Sequence, residues 1–210
     1  MEVLQKIFEE LQKGNFKDMP RLIQEALDEG ISPSKILSDG LVAGMDVVGE
    51  KFRSDEIFMP EVLISARAMQ AGMDVLRPKL IETGAKLAGK IVLGTVKGDL
   101  HDIGKNLVGM LLEGAGYQVI DLGTDVPTEK FVDAVKSNRP NILGLSALLT
   151  TTMPMMKAAI ESLIEAGVRD RIKIMVGGAP VTEKFAKDIG ADGYAPDAAS
   201  AVAKARELIG

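Results

Sequence analysis

The chain has 210 residues, a net charge of −5, no cysteine and a single histidine. This length suits one large or two small domains. The lack of cysteine excludes disulfides, thiolate zinc sites and iron–sulfur clusters, and one histidine excludes sites built from several imidazoles. Lysine and arginine are scattered and no apolar run approaches bilayer length, so we expect neither nucleic acid nor membrane as a partner. The first residues predict an amphipathic helix rather than a signal peptide, and hence a cytoplasmic protein.

Up to residue 86 the apolar residues recur at helical spacing, and no β-branched run interrupts them. The sequence predicts four helices, near residues 2–13, 18–29, 33–53 and 60–83. Connections this short favour a four-helix bundle, which we assign to a first domain of residues 1–86. Gly84 is placed to cap the last helix, because the pattern changes directly after it.

From residue 87 onward, short apolar segments alternate with helical ones. The predicted strands are 90–96, 117–123, 141–146, 172–178 and 192–195, and the predicted helices are 104–115, 128–138, 154–166, 182–189 and 197–208. Thr128, Thr182 and Asp197 are placed as N-caps of three of these helices. The alternation predicts a flavodoxin-like, doubly wound α/β domain over residues 87–210, with a five-stranded parallel sheet. In such sheets ligands bind beyond the carboxyl ends of the strands.

The loop after the first strand contains His101, and Asp99 lies two residues before it. A carboxylate in this position can accept the imidazole Nδ1–H and leave Nε2 free as a ligand or base. The alternative is an exposed loop histidine beside a chance aspartate. Gly98 and Gly104 also suggest a phosphate-binding loop, but five residues rather than four separate them, and Asn106 stands where that motif needs a hydroxyl. Gly104 instead leaves room for a bulky group at the start of a helix.

Two further loops at this edge of the sheet carry candidate residues. The loop after the third strand is apolar but contains several hydroxyls, among them Thr152, an N-cap candidate for the helix that begins near Pro154. The loop after the fourth strand contains Gly177 and Gly178. Paired glycines let a ligand touch the backbone, and a plain turn explains them equally well.

Together, the three loops resemble the cobalamin-binding domain of methionine synthase and of corrinoid methyl-carrier proteins. The positions that carry this resemblance are, in chain order, Asp99-x-His101-x-x-Gly104, the Ser-Ala-Leu-Leu-Thr stretch of residues 146–150, and Gly177-Gly178. Residues 44–52 and 58–69 look like the four-helix cap of the same family. The resemblance therefore extends over both predicted domains.

The resemblance implies that His101 is the lower ligand of cobalt, in place of the cofactor's own dimethylbenzimidazole. Asp99 would support His101 through a hydrogen bond, and Thr152 would extend that relay. The displaced nucleotide tail would enter the α/β domain, with space provided at Gly94 and Gly104. The implied cofactor-binding residues are Gly94, Asp99, His101, Asp102, Ile103, Gly104, Ser146, Leu148, Thr150, Thr152, Gly177 and Gly178, with His101 as the metal ligand.

The function implied by the resemblance is that of a methyl carrier, itself a non-catalytic subunit of a methyltransferase system. Its cobalamin would take a methyl group from a donor held by a substrate-specific methyltransferase and present it to an acceptor methyltransferase, with a reductive activation protein as a third partner. Methanol, a methylamine, a betaine and an aromatic methyl ether are all open as donors. A cobalamin-responsive sensor or regulator is the alternative, and a subunit of a carbon-skeleton mutase is a weaker one.

The helical domain is expected to cover the upper face of the corrin and to swing away about a hinge near residues 77–89. Phe58, Met59, Val62 and Met69 are candidates to touch that face. A position in the core of the bundle suits each of them as well.

Overall fold

The computed structural model describes residues 2–83 and 87–210, and the chain divides into two compact units. One contains the amino-terminal helices together with Glu113–Gly116, and the other contains Gly89–Leu112 and Tyr117–Gly210. The predicted cap at Gly84 and the predicted boundary after residue 86 fall outside the described residues. Among the helices that are described, none is both long and apolar enough to cross a membrane.

The first unit is helical, as the sequence predicts. Its helices are α1 (Glu2–Gln12), α2 (Met19–Asp28), α3 (Pro33–Lys35, Ile36–Val42 and Ala43–Arg53 in succession) and α4 (Met59–Glu82). Helix α1 contacts the other three helices and contributes the fully buried Ile7 and Leu11 to their core. The middle segment of α3 is π-helical, whereas the sequence predicts one regular helix over 33–53. Apolar spacing over one or two turns does not separate these two helix types.

The four residues predicted as candidates to touch the corrin lie between Phe58 and Met69, and they differ in burial. Val62 and Met69 are buried in the core of the helical unit. Phe58 and Met59 are 65% and 38% exposed. Packing within the unit therefore explains Val62 and Met69, and it does not explain the two exposed residues.

The second unit alternates strands and helices. Its strands are β1 (Gly89–Thr95), β2 (Tyr117–Asp121), β3 (Ile142–Ser146), β4 (Lys173–Gly177) and β5 (Gly193–Ala195), and its helices are α5 (Ile103–Gly114), α6 (Thr128–Asn138), α7 (Pro154–Glu165), α8 (Glu183–Asp188) and α9 (Ala198–Ile209). Thr182 and Asp197 cap α8 and α9 as predicted, accepting hydrogen bonds from backbone N–H groups three residues on. The cap predicted at Thr128 is wrong, because Pro127 occupies that position and Thr128 is already helical.

All five strands pair in parallel in the order β2-β1-β3-β4-β5, the flavodoxin-like order that the sequence predicts. Thr95 pairs with Ser146, and Ser146 pairs with Gly177, so these strands end at one edge. From β1 the chain first adds β2 on one side and then β3 on the other. The loops that leave β1 and β3 therefore diverge, and the crevice between them is where this fold binds ligands.

One face of the sheet packs against α6 and α7 around a continuous apolar core that includes Phe131. A Cβ at Gly94 would lie 2.6 Å from Cε1 of Phe131, so the ring already fills the space beside this glycine. The prediction that Gly94 leaves room for a cofactor tail therefore has no support here, because the chain itself occupies that room. A different close approach involves Gly178, whose Cβ would lie 1.9 Å from the carbonyl oxygen of Ala147 at a φ of 130°.

We expect Gly178→Ala to destabilise the α/β unit by about 2–3 kcal/mol, because the added methyl group collides with backbone and the φ angle disfavours a side chain. Gly104→Ala is the matched control, since a Cβ at Gly104 would meet nothing within 4 Å. Urea unfolding followed by circular dichroism compares the two variants. Equal stabilities would contradict the close approach of the loops after β3 and β4.

Candidate functional site

The carboxylate of Asp99 lies at the centre of the site, in the loop after β1, and is completely buried. Its Oδ1 accepts hydrogen bonds from the backbone N–H of His101 at 3.1 Å and from His101 Nδ1 at 2.7 Å. Its Oδ2 accepts from the backbone N–H groups of Leu148 at 2.8 Å and Leu149 at 3.2 Å. The hydroxyl of Thr152 also donates to Oδ2, at 2.7 Å. One side chain thus joins the two loops that diverge at the edge of the sheet.

The pKa of Asp99 reflects two opposing causes. Burial by itself raises the pKa of a carboxyl group, because it removes water from the charged form. The hydrogen bonds from Thr152, Leu148 and His101 lower the pKa and outweigh burial, so the pKa lies well below its ordinary value. Asp99 is therefore ionised at neutral pH and accepts all of these bonds.

An ionised Asp99 decides which nitrogen of His101 carries a proton. A carboxylate offers no proton, so Nδ1–H is the donor in the bond between them, and a neutral ring then has its lone pair on Nε2. The His101 side chain is 50% exposed. Within residues 2–83 and 87–210, no protein group hydrogen-bonds to Nε2. The chain's one imidazole thus presents a free basic nitrogen to the surroundings.

The backbone of His101 is held on both sides. Its N–H donates to Asp99, and its carbonyl accepts a hydrogen bond of 2.9 Å from the hydroxyl of Thr95. Thr95 is the last residue of β1 and is fully buried. Sequence reasoning missed Thr95, because threonine is an ordinary residue in a strand and carries no signal of this contact.

Thr152 belongs to the Asp99 cluster rather than to a helix cap. Besides its bond to Asp99, its hydroxyl lies 2.9 Å from the carbonyl oxygen of Leu149. The residue before α7 is Met153, and no side chain caps that helix. The N-cap interpretation of Thr152 is therefore wrong, and the hydrogen bond implied by the family resemblance is present.

Asp125, in the loop after β2, holds the Asp99 loop from a third direction. Its N–H donates to the carbonyl of Asp99 at 2.9 Å, and its carboxylate accepts from the N–H of Gly98 at 2.7 Å. Asp125 has a φ of 53°, a left-handed conformation that aspartate tolerates better than most residues. Sequence reasoning missed Asp125, because its partner Gly98 is 27 residues away in the chain.

Four exposed apolar side chains lie near His101 in the chain or on the loop that binds Asp99. Leu100 and Ile103 are 74% and 75% exposed, and Leu148 and Leu149 are 42% and 41% exposed. Leu148 and Leu149 are fixed here by their bonds to Asp99, and the other two flank His101 in sequence. Apolar patches of this kind mark binding surfaces, so the region around Nε2 suits a large and mostly apolar ligand.

The other predicted residues lie at the same edge of the sheet. Ser146 ends β3 and Thr150 is exposed in the loop that follows; neither hydroxyl hydrogen-bonds to another residue of the described ranges. The position of a Cβ at Gly104 is open, as predicted. The carboxylate of Asp102 accepts a bond of 3.0 Å from the side chain of Asn106. Asp102 and Gly104 thus lie between β1 and the first turn of α5, and Ser146 and Thr150 lie at the end of β3 and in the loop after it.

An α/β unit of this topology binds ligands at the carboxyl ends of its strands, where His101 lies, and comparison with known families identifies the class of ligand. Residues 89–203 match the family described as B12 binding domain, and residues 3–77 match a second family with the same description. The chain therefore belongs to the B12-binding family of corrinoid proteins, and its cofactor is a cobalamin or related corrinoid.

Similar proteins carry corrinoid names. A corrinoid protein of Desulfitobacterium hafniense is 43% identical, over 100% of this chain and 99% of the relative. The dimethylamine corrinoid protein of Methanosarcina barkeri is 46% identical, over 92% of this chain and 91% of the relative. In the crystal structure of the methanol:cobalamin methyltransferase complex from Methanosarcina barkeri, one chain matches with a TM-score of 0.87 and 36% identity, over 99% of this chain and 80% of that one.

The residues of the site fit such a cofactor. Cobalt in a corrinoid can take a nitrogen as an axial ligand, and Nε2 of His101 has no hydrogen-bond partner among the described residues. The corrin ring can also pack on apolar surface, which Leu100 and Ile103 expose within two residues of His101 in the chain. The open space at Gly104 is consistent with a bulky group at the start of α5.

Asp99→Asn should lower the free energy of unfolding by about 2–3 kcal/mol at pH 7, because it removes a charged acceptor from five donors. The pKa of Asp99 is lowered in the folded chain, so its stabilisation is fully present above the unfolded pKa of about 3.9 and is lost as the pH falls below it. The difference between the wild-type protein and the variant should therefore shrink in acid. Urea unfolding at several pH values measures it.

Asp133→Asn is the control for this experiment, since Asp133 is an exposed aspartate on α6. We expect its stability to stay within about 0.5 kcal/mol of wild type. If the difference in unfolding free energy between Asp99→Asn and wild type does not change with pH, the charge of Asp99 does not contribute to stability.

Proposed function

We propose that the protein binds its corrinoid base-off, with Nε2 of His101 as the lower axial ligand of cobalt, and carries a methyl group between two methyltransferases. The observation that supports this most directly is the half-exposed imidazole of His101, whose Nε2 is left free by the bond between Nδ1 and Asp99. When bound, the corrinoid supplies a cobalt ion that accepts a methyl group and gives it up again.

In this proposal Asp99 controls the basicity of His101. A carboxylate that accepts the Nδ1–H of a ligating histidine raises its basicity and fixes its orientation. The same carboxylate would also stabilise the ring with a proton on Nε2, and the bonds that hold the loop would not have to change. Thr152, Leu148 and Leu149 also donate hydrogen bonds to the carboxylate of Asp99. These bonds stabilise its negative charge and so weaken its influence on the basicity of His101.

The remaining residues of the site are assigned to the corrin and its nucleotide tail. Ile103, at the start of α5, and Leu148, in the loop after β3, expose apolar surface and would pack against the corrin. The hydroxyls of Ser146 and Thr150 have capacity for hydrogen bonds to the tail. Proposed contributors through backbone or polar contacts are Asp102, Gly104, Gly177 and Gly178.

The methyl donor is proposed to be a methylated amine. Relatives at 45–46% identity are named dimethylamine and trimethylamine corrinoid proteins. A substrate-specific methyltransferase, an acceptor methyltransferase and a reductive activation protein are the proposed partners, in the cytoplasm. The cap role of the helical unit stays a prediction.

The ligand assignment is tested by electron paramagnetic resonance of the cobalt(II) form, reconstituted with cobalamin. Because the chain has one histidine, growth on histidine labelled with the heavy nitrogen isotope marks His101 alone. We expect one nitrogen to split the cobalt signal, and the splitting to change from a triplet to a doublet on labelling. His101→Ala should lose it, and added imidazole should restore it.

Labelling separates His101 from the cofactor's own base. A nitrogen splitting that does not change when the histidine is labelled, or that persists in His101→Ala, would show that a different nitrogen is bound to cobalt. Lys184→Ala, a change on the exposed surface of α8, serves as the control and should leave the spectrum unaltered.

The carrier function is tested by mixing the protein, with its cobalt reduced to the +1 state, with candidate methyltransferases and a panel of donors. We expect the optical spectrum to change to that of the methylated cofactor with a methylated amine and its methyltransferase. A response to methanol, a betaine or an aromatic methyl ether alone would correct the donor class. Binding of the cofactor with no methyl uptake from any donor would favour the sensor alternative.

A further inference from the structure

Lys105, in the first turn of α5, is a buried cation that the proposed function does not use. Its side chain is 3% exposed. The ammonium group donates to Oδ2 of Asp121, at the end of β2, at 2.5 Å, and to the side-chain oxygen of Asn106 at 2.7 Å. Lysine is rarely buried unless it is paired, so this arrangement requires both acceptors.

Two hydrogen-bonded routes lead from Lys105 to His101. On one side, the side chain of Asn106 donates to the carboxylate of Asp102 at 3.0 Å, and Asp102 adjoins His101 in the chain. This route therefore ends on the residue that follows His101.

The other route passes through the sheet. Oδ1 of Asp121 accepts from the N–H of Gly123 at 2.9 Å, and the carbonyl of Gly123 accepts from the N–H of Thr95 at 3.0 Å. The hydroxyl of Thr95 then donates to the carbonyl of His101. The two routes therefore reach the backbone of His101 from Lys105 through different residues, one through Asp102 and the other through Thr95.

We propose that Lys105 is a positioning residue that fixes the backbone of His101 and thereby the direction of Nε2. This inference rests on the proposed function, in which Nε2 is the cobalt ligand. The imidazole has one hydrogen bond to the protein, through Nδ1, among the described residues. Its direction therefore depends on how firmly its backbone is held.

A purely stabilising ion pair explains the arrangement less well. The carboxylate of Asp121 is 46% exposed, so water screens its attraction to the ammonium. Burying the ammonium is unfavourable in itself, and an ion pair of this kind adds little net stability. The hydrogen bonds of Lys105 instead place the first turn of α5 against the ends of β1 and β2. This placement explains why the lysine is buried, whereas a gain in stability does not.

The test compares Lys105→Met with wild type, both reconstituted with cobalamin. Methionine keeps the length of the side chain and its apolar packing but removes the donors. We expect cobalamin affinity to fall about 10-fold, as for other residues that support a metal ligand, and the cobalt(II) nitrogen splitting to become mixed or weak. Hydrogen exchange at the backbone N–H of His101, measured without cofactor, should accelerate.

Lys130→Met is the matched control. Its ammonium donates to the carbonyl of Leu122 in the loop after β2 at 3.2 Å, and it should leave affinity and splitting unchanged. Asp121→Asn keeps the shape of the acceptor and should reproduce part of the Lys105→Met effect. It also provides the test if Lys105→Met does not fold.

The possible results separate the two proposals. If wild type shows no histidine splitting, the ligand assignment itself fails. If wild type shows it and Lys105→Met has the same affinity, splitting and exchange rate, Lys105 does not position His101. A variant that loses stability but keeps wild-type affinity and splitting would assign Lys105 a structural role only and would also overturn the inference.

Discussion

The site depends on one buried negative charge. A carboxylate removed from water is strongly unfavourable unless hydrogen-bond donors replace the lost solvent. For Asp99 those donors come from the loops after β1 and β3, so the charge is stable only when both loops are in place. Folding of this edge of the sheet and formation of the site are therefore the same event.

The restraints on His101 act on one side of the residue. Nδ1, the backbone N–H and the carbonyl are all engaged by Asp99 or Thr95, whereas Nε2 faces away from these contacts. This division lets the ring be half exposed and still point in a defined direction. A ligand to a cofactor metal needs both properties, because the nitrogen must be accessible to the metal and its orientation must already be fixed before the metal binds.

The topology of the sheet explains why such a residue is available at all. Strands β1 and β3 are neighbours whose connections leave to opposite sides of the sheet, and this fold binds ligands in the crevice between such connections. Leu100 follows β1 and Leu148 follows β3, and the contact of these exposed side chains with water is unfavourable. Under the proposed function, a bound corrinoid would cover them.

The sequence by itself determined the two-part architecture and the pairing of Asp99 with His101. Helical and strand periodicities follow from which face of each element is buried, and two residues of one short loop can meet without help from the rest of the chain. The link from Thr152 to Asp99 spans 53 residues, and local reasoning alone interpreted Thr152 as a helix cap. Only the family resemblance indicated its true partner.

Tertiary structure alone decided the contacts of Thr95, Asp125 and Lys105, because these contacts join different elements of the fold and the residue types are ordinary where they stand. It also decided Gly94. A glycine in the sequence indicates space where a side chain would otherwise lie. The packing of α6 on the sheet places the ring of Phe131 in this space, so it is not available to a ligand.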